Sequence, residues 1–174
     1  MSGFMADALR EFRKNKGLAD KAMAQVSDEQ FFHANGAEDN SMAVIVKHVA
    51  GNLRSRWTDF LASDGEKQSR DRDGEFIIGS ADSRSALLAA WETGWQILFM
   101  ELEPLGDVDL DRTVTIRGEP LTVQQAVTRQ VSHYAYHVGQ IVLLAKHHAW
   151  THWKSLSIPK GKSKEFNAAP RNYL

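Results

Sequence analysis

Apolar residues recur along this chain with the period of a helix in four separate stretches, each about 20 residues or longer, and the proline, glycine and charged clusters fall between them. The first stretch runs from about Phe4 to Val26, with Phe4, Leu9, Phe12, Leu18, Ala22 and Val26 on its apolar stripe. The second opens at Asp39, Asn40 and Ser41, which are capping residues, and carries Met42, Ile45, Val49, Leu53, Trp57 and Phe60. It is expected to end near Ser63 to Lys67. The third starts at the Ser80 to Ser83 cluster, runs through Leu87, Leu88, Trp91, Trp95, Leu98, Phe99 and Leu102, and is stopped by Pro104. The fourth opens at Thr122 and carries Val123, Ala126, Val127, Val131, Ile141, Leu144 and Ala145. Four such stripes must cover one another, so the pattern predicts an all-α four-helix bundle.

Between the third and fourth stretches, Val114 to Ile116 alternate weakly before an Arg-Gly-Glu-Pro turn, and a short β-hairpin is expected there. The link from Ser63 to Gly79 is long and highly charged, and links of that length tend to be functional or mobile. The tail from His152 to Leu174 has no clear period; it either wraps the bundle or pairs with a second subunit. With 174 residues the chain is read as a single domain spanning 1–174. A 43% hydrophobic share beside 25% charged residues excludes intrinsic disorder.

Twenty-one basic against 22 acidic residues leave a net charge of −1, so no global positive field gathers nucleic acid, and DNA binding is disfavoured. The N-terminus has no apolar core of signal-peptide length, and no stretch approaches the roughly 20 apolar residues of a membrane span. A cytoplasmic protein is expected. The absence of cysteine excludes disulfides, thiolate metal sites and a cysteine nucleophile. Any thiol chemistry would have to arrive on a substrate, and any metal would need histidine, carboxylate, backbone or water ligands.

The stretch SHYAYHVGQI places His133 and His137 four residues apart within the fourth helix. On a helix, side chains at that spacing stand about 5–6 Å apart, so both imidazoles can reach one ion. They share a face with Ala126, Gln140, Ile141 and Leu144, which directs them inward, and a buried imidazole pair is costly unless it is hydrogen-bonded or bound to metal. The spacing permits a metal without requiring one, since two satisfied core histidines have the same sequence. Tyr134 in place of glutamate after His133 excludes the zinc-protease motif, and no Glu-x-x-His pair supports a carboxylate-bridged di-iron centre. A third ligand must come from another helix. His48 lies on the flank of the second helix, beside Asn52 and Arg56, and three imidazoles with an open position form a catalytic rather than a structural zinc arrangement. His148 and His152 are also four apart, after His147, but they fall at a helix C-terminus beside Trp150 and Trp153, where dipole and packing roles suffice. His33 has no partner at useful spacing, and Trp57, Trp91 and Trp95 read as core.

Taken together, NSMAVIVKHVAGN, SDGEKQSRDRDGEF, HYAYHVGQI and SLSIPKGKSKEFN resemble the DinB-like superfamily, and more narrowly a bacterial branch of it catalogued as a domain of unknown function. The resemblance spans nearly the whole chain. It implies a four-helix bundle, commonly a homodimer, with a divalent metal held by one histidine of the second helix and two of the last; by motif these are His48, His133 and His137. Three imidazoles suit zinc, nickel, copper or iron, with zinc or nickel expected first; members with assigned activity use such a metal to activate a low-molecular-weight thiol, while others are known only as metal-binding bundles. The leading expectation is therefore a metal-dependent enzyme acting on a small molecule, a thiol transferase or a hydrolase. The alternative is a non-enzymatic metal-binding or stress-associated interaction protein.

Around that centre, Asn52 and Arg56 follow His48 by one and two turns and would orient an anionic substrate, or else form a solvated helix edge. Gln140 would hold a ring or a water beside His137, or else bridge two helices. Arg70 to Phe76 would be a lid near the mouth, or else a solvated loop. No carboxylate accompanies the histidines in sequence, so no general base is apparent.

Overall fold

Three of the four long helices begin where a hydroxyl side chain meets the apolar repeat. Ser41 accepts the Val44 amide and opens α3 (Met42–Trp57), and Ser83 accepts the Ala86 amide and opens α4 (Arg84–Leu102). Thr122 and Gln125 form a reciprocal capping box at the start of α5 (Val123–Ala149). The first helix, α1 (Phe4–Met23), has no hydroxyl cap; instead the carboxylate of Asp107 accepts the Phe4 and Met5 amides at 3.1 and 3.0 Å. These elements belong to a computed structural model that describes residues 3–168.

α4 ends at Leu102, two residues ahead of Pro104, as the proline requires. α3 ends earlier than its apolar stripe predicts. The chain turns extended at Thr58 and left-handed at Asp59 (φ 51), so Phe60 leaves the helix and folds its ring back to 4.7 Å from Trp57. Two short helices were not legible in the periodicity: α2 (Asp28–Phe32), opened by a Ser27–Gln30 capping box, and α6 (Ser163–Ala168) within the tail.

The expected hairpin is present as β1 (Thr113–Ile116) and β2 (Glu119–Thr122), antiparallel with Ile116 opposite Glu119. Its two turn residues, Arg117 (φ 55) and Gly118 (φ 77), are both left-handed, as a tight two-residue hairpin turn demands. Val114 and Ile116 point inward and are buried. Asp64 clamps the turn to the charged link by accepting the Arg117 and Gly118 amides at 2.9 and 2.8 Å.

α3 packs on α4 and α5, and α1 packs on α5 and α4, around one continuous hydrophobic cluster. Its centre is aromatic. Trp57, Trp91, Trp95, Phe12 and Tyr134 are each no more than 1% exposed, in keeping with the core role expected of the tryptophans. Burying side chains of this size contributes more than any other term available to such a fold. The tail returns along α1, where Gln25 exchanges hydrogen bonds with the backbone of Lys154, and Trp153 and Leu156 pack against the core. The start of the tail therefore packs on its own helices through Trp153, Lys154 and Leu156, while Ser163–Ala168 is largely exposed; the part of the expectation falling on 169–174 lies outside the described residues. Among the described residues no helix is long and apolar enough to cross a membrane.

Candidate metal centre

α3 and α5 bring the three expected histidines together. The candidate ligand atoms of His48, His133 and His137 all lie within 4.8 Å of one another, and among the described residues this is the group of three that could hold a metal ion. His48 is buried, while His133 and His137 are half-buried. The Nε2 atoms of His133 and His137 are 3.1 Å apart. Two imidazole nitrogens bound to one tetrahedral ion at about 2.0–2.1 Å stand roughly 3.3 Å apart, so the pair has close to the spacing such an ion needs.

Each ring is fixed through its other nitrogen. His48 Nδ1 donates to Glu75 Oε2 at 2.9 Å, His137 Nδ1 to Gln140 Oε1 at 2.9 Å, and His133 Nδ1 to Gln130 Oε1 at 3.3 Å. A carboxylate and two amide oxygens can only accept, so each ring donates through Nδ1 and turns its Nε2 inward. This outer layer of acceptors is the usual support of imidazole metal ligands. Gln140 thus holds a ring rather than bridging helices, and its amide group also donates to Tyr136 Oη at 3.4 Å.

Protonation follows the same arrangement. Burial, followed by the neighbouring His137, His48, Arg56 and Arg70, pushes His133 down to about 3. Burial also lowers His137, opposed by its bond to Gln140 and reinforced by His48. Neutral rings facing one another with two lone pairs 3.1 Å apart repel unless a cation or proton lies between them. The donor set therefore fits a divalent ion.

Glu75 is the carboxylate that sequence reasoning missed. It comes from the charged link, through a single turn of 3-10 helix (Asp73–Phe76), and is 6% exposed. Burial raises its carboxyl, but the hydrogen bonds from His48 and Arg70 and the Arg70 charge together hold it below the ordinary carboxylate range. Arg70 grips it with a two-pronged fork, Nε to Oε1 and Nη2 to Oε2, both at 2.8 Å. The approach depends on Gly51, because a Cβ there would collide with Glu75 Oε1. That glycine, one turn after His48 in a helix interior, was the available signal.

The link is therefore not simply a solvated loop. Arg70 and Glu75 are buried on α3 and the Phe76 ring lies 4.9 Å from the His48 ring, while Asp71, Arg72 and Asp73 face solvent. The solvated-edge reading of Asn52 and Arg56 is likewise overturned, since they are 4% and 3% exposed. Asn52 Oδ1 accepts from Tyr134 Oη, which in turn accepts from Trp57 Nε1, both at 3.0 Å. Asn52, Arg56, His48 and His133 line one cavity of about 230 Å3 beside the histidines.

The other histidines lie elsewhere. His148 and His33 pack edge to face with ring centroids 5.2 Å apart, a contact between α5 and the segment after α2 that spacing did not reveal.

A mostly helical protein with a small two-stranded sheet and a three-histidine cluster that could hold a metal is the class these features define. The chain belongs to the family described as a protein of unknown function, DUF1572, whose model matches residues 2–162. No curated protein and no solved structure matches it.

Proposed function

We propose that this protein is a single-domain, DinB-like four-helix bundle that holds one divalent ion, zinc or nickel, on His48, His133 and His137, and that it transfers a thiol or hydrolyses a small molecule at that centre. The observation that carries the reading is the inward convergence of three Nε2 atoms, each ring fixed by an acceptor on Nδ1, beside a cavity. A metal-binding site with a purely structural role would be closed by a fourth protein ligand. Here Glu75, the nearest carboxylate, is committed to His48 Nδ1 and Arg70. Bound there, the ion would supply Lewis acidity and lower the pKa of a thiol or water.

Of the two chemistries, thiol transfer has the stronger support. A hydrolase of this size would want a free general base, and no residue lining the cavity is a carboxylate. A thiol needs no such base once its pKa is lowered. The resemblance that suggests thiol chemistry also suggests a homodimer; the exposed Tyr136 and Leu143, seven residues apart on one side of α5, offer apolar surface for a second copy.

The test is to incubate zinc-loaded protein with a panel of low-molecular-weight thiols and an aryl halide, following thioether formation. Thiol consumption above background that disappears in His133→Ala is expected. A metal-loaded protein that consumes no thiol beyond background would overturn thiol transfer, and one that also hydrolyses no ester or amide of a test panel would leave the non-enzymatic metal-binding reading in its place.

A further inference from the structure

The cavity beside the histidines has a second chemical character. Five guanidiniums line it, from Arg56, Arg70, Arg72, Arg117 and Arg129, and its lining includes no carboxylate. They arrive from four separate places: α3, the charged link, the hairpin turn and α5. A run of charge along one solvated surface does not produce that convergence.

Their countercharges are too few. Glu75 is spent on Arg70. A single oxygen of Glu66 faces three of them, at 3.1 Å from Arg70, 3.6 Å from Arg56 and 3.5 Å from Arg117. Among the described residues Arg72 forms one ion pair, with the solvent-exposed Asp73 at 3.7 Å, beside a contact with the Phe76 ring, and Arg129 forms none. Asp64, the remaining carboxylate nearby, is occupied by the amides of Glu66, Arg117 and Gly118.

Arg56 is the most telling of the five. Its side chain is 4% exposed, yet Nε and Nη1 have no hydrogen-bond partner. A buried guanidinium whose donors are unmet is destabilising, and such groups persist where a ligand completes them. Burial, with the Arg129 and Arg70 charges adding to it against Tyr134 and Glu66, already pulls its proton affinity below the ordinary guanidinium range.

We propose that this cavity is an oxyanion pocket, in which Arg56 and Arg129, with Arg72 and Arg117 at the rim, hold a carboxylate or phosphate carried by the molecule that reaches the histidine centre. The planar fork of guanidinium matches both groups. At about 230 Å3 the cavity is smaller than the roughly 300–1,000 Å3 of drug-sized sites, which suits it to a single carboxylate or phosphate group, with the rest of a larger ligand outside it. The proposal deepens the reading of the histidine centre as a reaction site and rests on it for the word substrate. The pocket itself stands on the arginines.

The probes are inorganic phosphate, succinate and the neutral succinamide, titrated calorimetrically into metal-free and zinc-loaded protein at low and physiological salt, with the zinc affinity of each variant measured in parallel. Phosphate or succinate should bind the wild type without metal, and succinamide should not; whichever anion binds more tightly identifies the carried group. The double variant Arg72→Gln with Arg129→Gln alters exposed side chains and should weaken the anion about tenfold or more. Arg56→Met should raise the melting temperature of the ligand-free protein and abolish its rise on adding anion, the opposite of what loss of a structural arginine would do. Should Arg56→Met fail to fold, the double variant decides alone. Binding that is absent in wild type, equal for succinamide, or unmoved in the double variant overturns the pocket. Zinc binding retained with no anion response sinks the pocket and spares the metal reading; anion binding retained with no zinc does the reverse.

Discussion

Adjacent residues on α5, His133 and Tyr134, lead into two groups of buried polar side chains along the same seam with α3, and the two groups are finished differently. On the Tyr134 side, Trp57 Nε1 donates to Tyr134 Oη and Tyr134 Oη to Asn52 Oδ1, a relay closed over by Phe12 and by Trp95, whose own Nε1 has no partner. On the His133 side, two Nε2 lone pairs confront each other and Arg56 keeps two donors unmet. The outer halves of the same rings, by contrast, are held by Glu75, Gln130 and Gln140. Rings held from outside and left open on the inner side, next to a buried guanidinium with unmet donors, make an arrangement suited to something that enters.

That contrast can be broken from either side. The largest effect is expected in the aromatic core: Trp95→Ala should lose about 3–5 kcal/mol of stability, read from urea unfolding, and a loss under about 1 kcal/mol would mean that the cluster does not anchor the helices. Tyr134→Phe strands Trp57 Nε1 and Asn52 Oδ1 and should cost about 1–3 kcal/mol while zinc stoichiometry stays unchanged; loss of zinc would show that the relay supports the histidines after all.

Glu75→Gln should weaken zinc about 10- to 100-fold in competition with a fluorescent chelator. An unchanged affinity would assign Glu75 to Arg70 alone. The smallest effect concerns pH, because His133 and His137 are only half-buried and solvent screens them. Their folded pKa values lie below the ordinary 6.5, His133 at about 3, so the metal-free fold gains stability from them above about pH 6.5 and loses it progressively as pH falls toward 3. His133→Gln should flatten the slope of melting temperature between those limits; a slope as steep as wild type would place the titration elsewhere.

Much of the helical frame was legible because its signals are local. Ser41, Ser83 and Thr122 cap where they stand, Pro104 stops α4, and the Arg117–Gly118 pair turns the hairpin. His133 and His137 were legible for the same reason, since four-residue spacing on one helix is a local fact, whereas His48, on another helix, was joined to them by the resemblance. The early end of α3 was not, because Phe60 keeps the helical apolar repeat although Thr58 and Asp59 have already left the helix. Glu75 and the arginines were hidden by distance. Glu75 is 27 residues from His48, in a link without period, and only packing on Gly51 makes it a neighbour. Asn52 and Arg56 read as a possible solvated edge because the link and hairpin that cover them cannot be inferred from the helix they sit on.

The most direct test of the central claim is elemental mass spectrometry of untagged protein purified without a chelating column, for wild type beside His48→Ala, His133→Ala, His137→Ala and His148→Ala. About one metal per chain is predicted in wild type and in His148→Ala, with none in the other three. Metal that survives any of those three substitutions, or a wild type that takes up neither zinc nor nickel, would contradict the assignment and return His133 and His137 to the core.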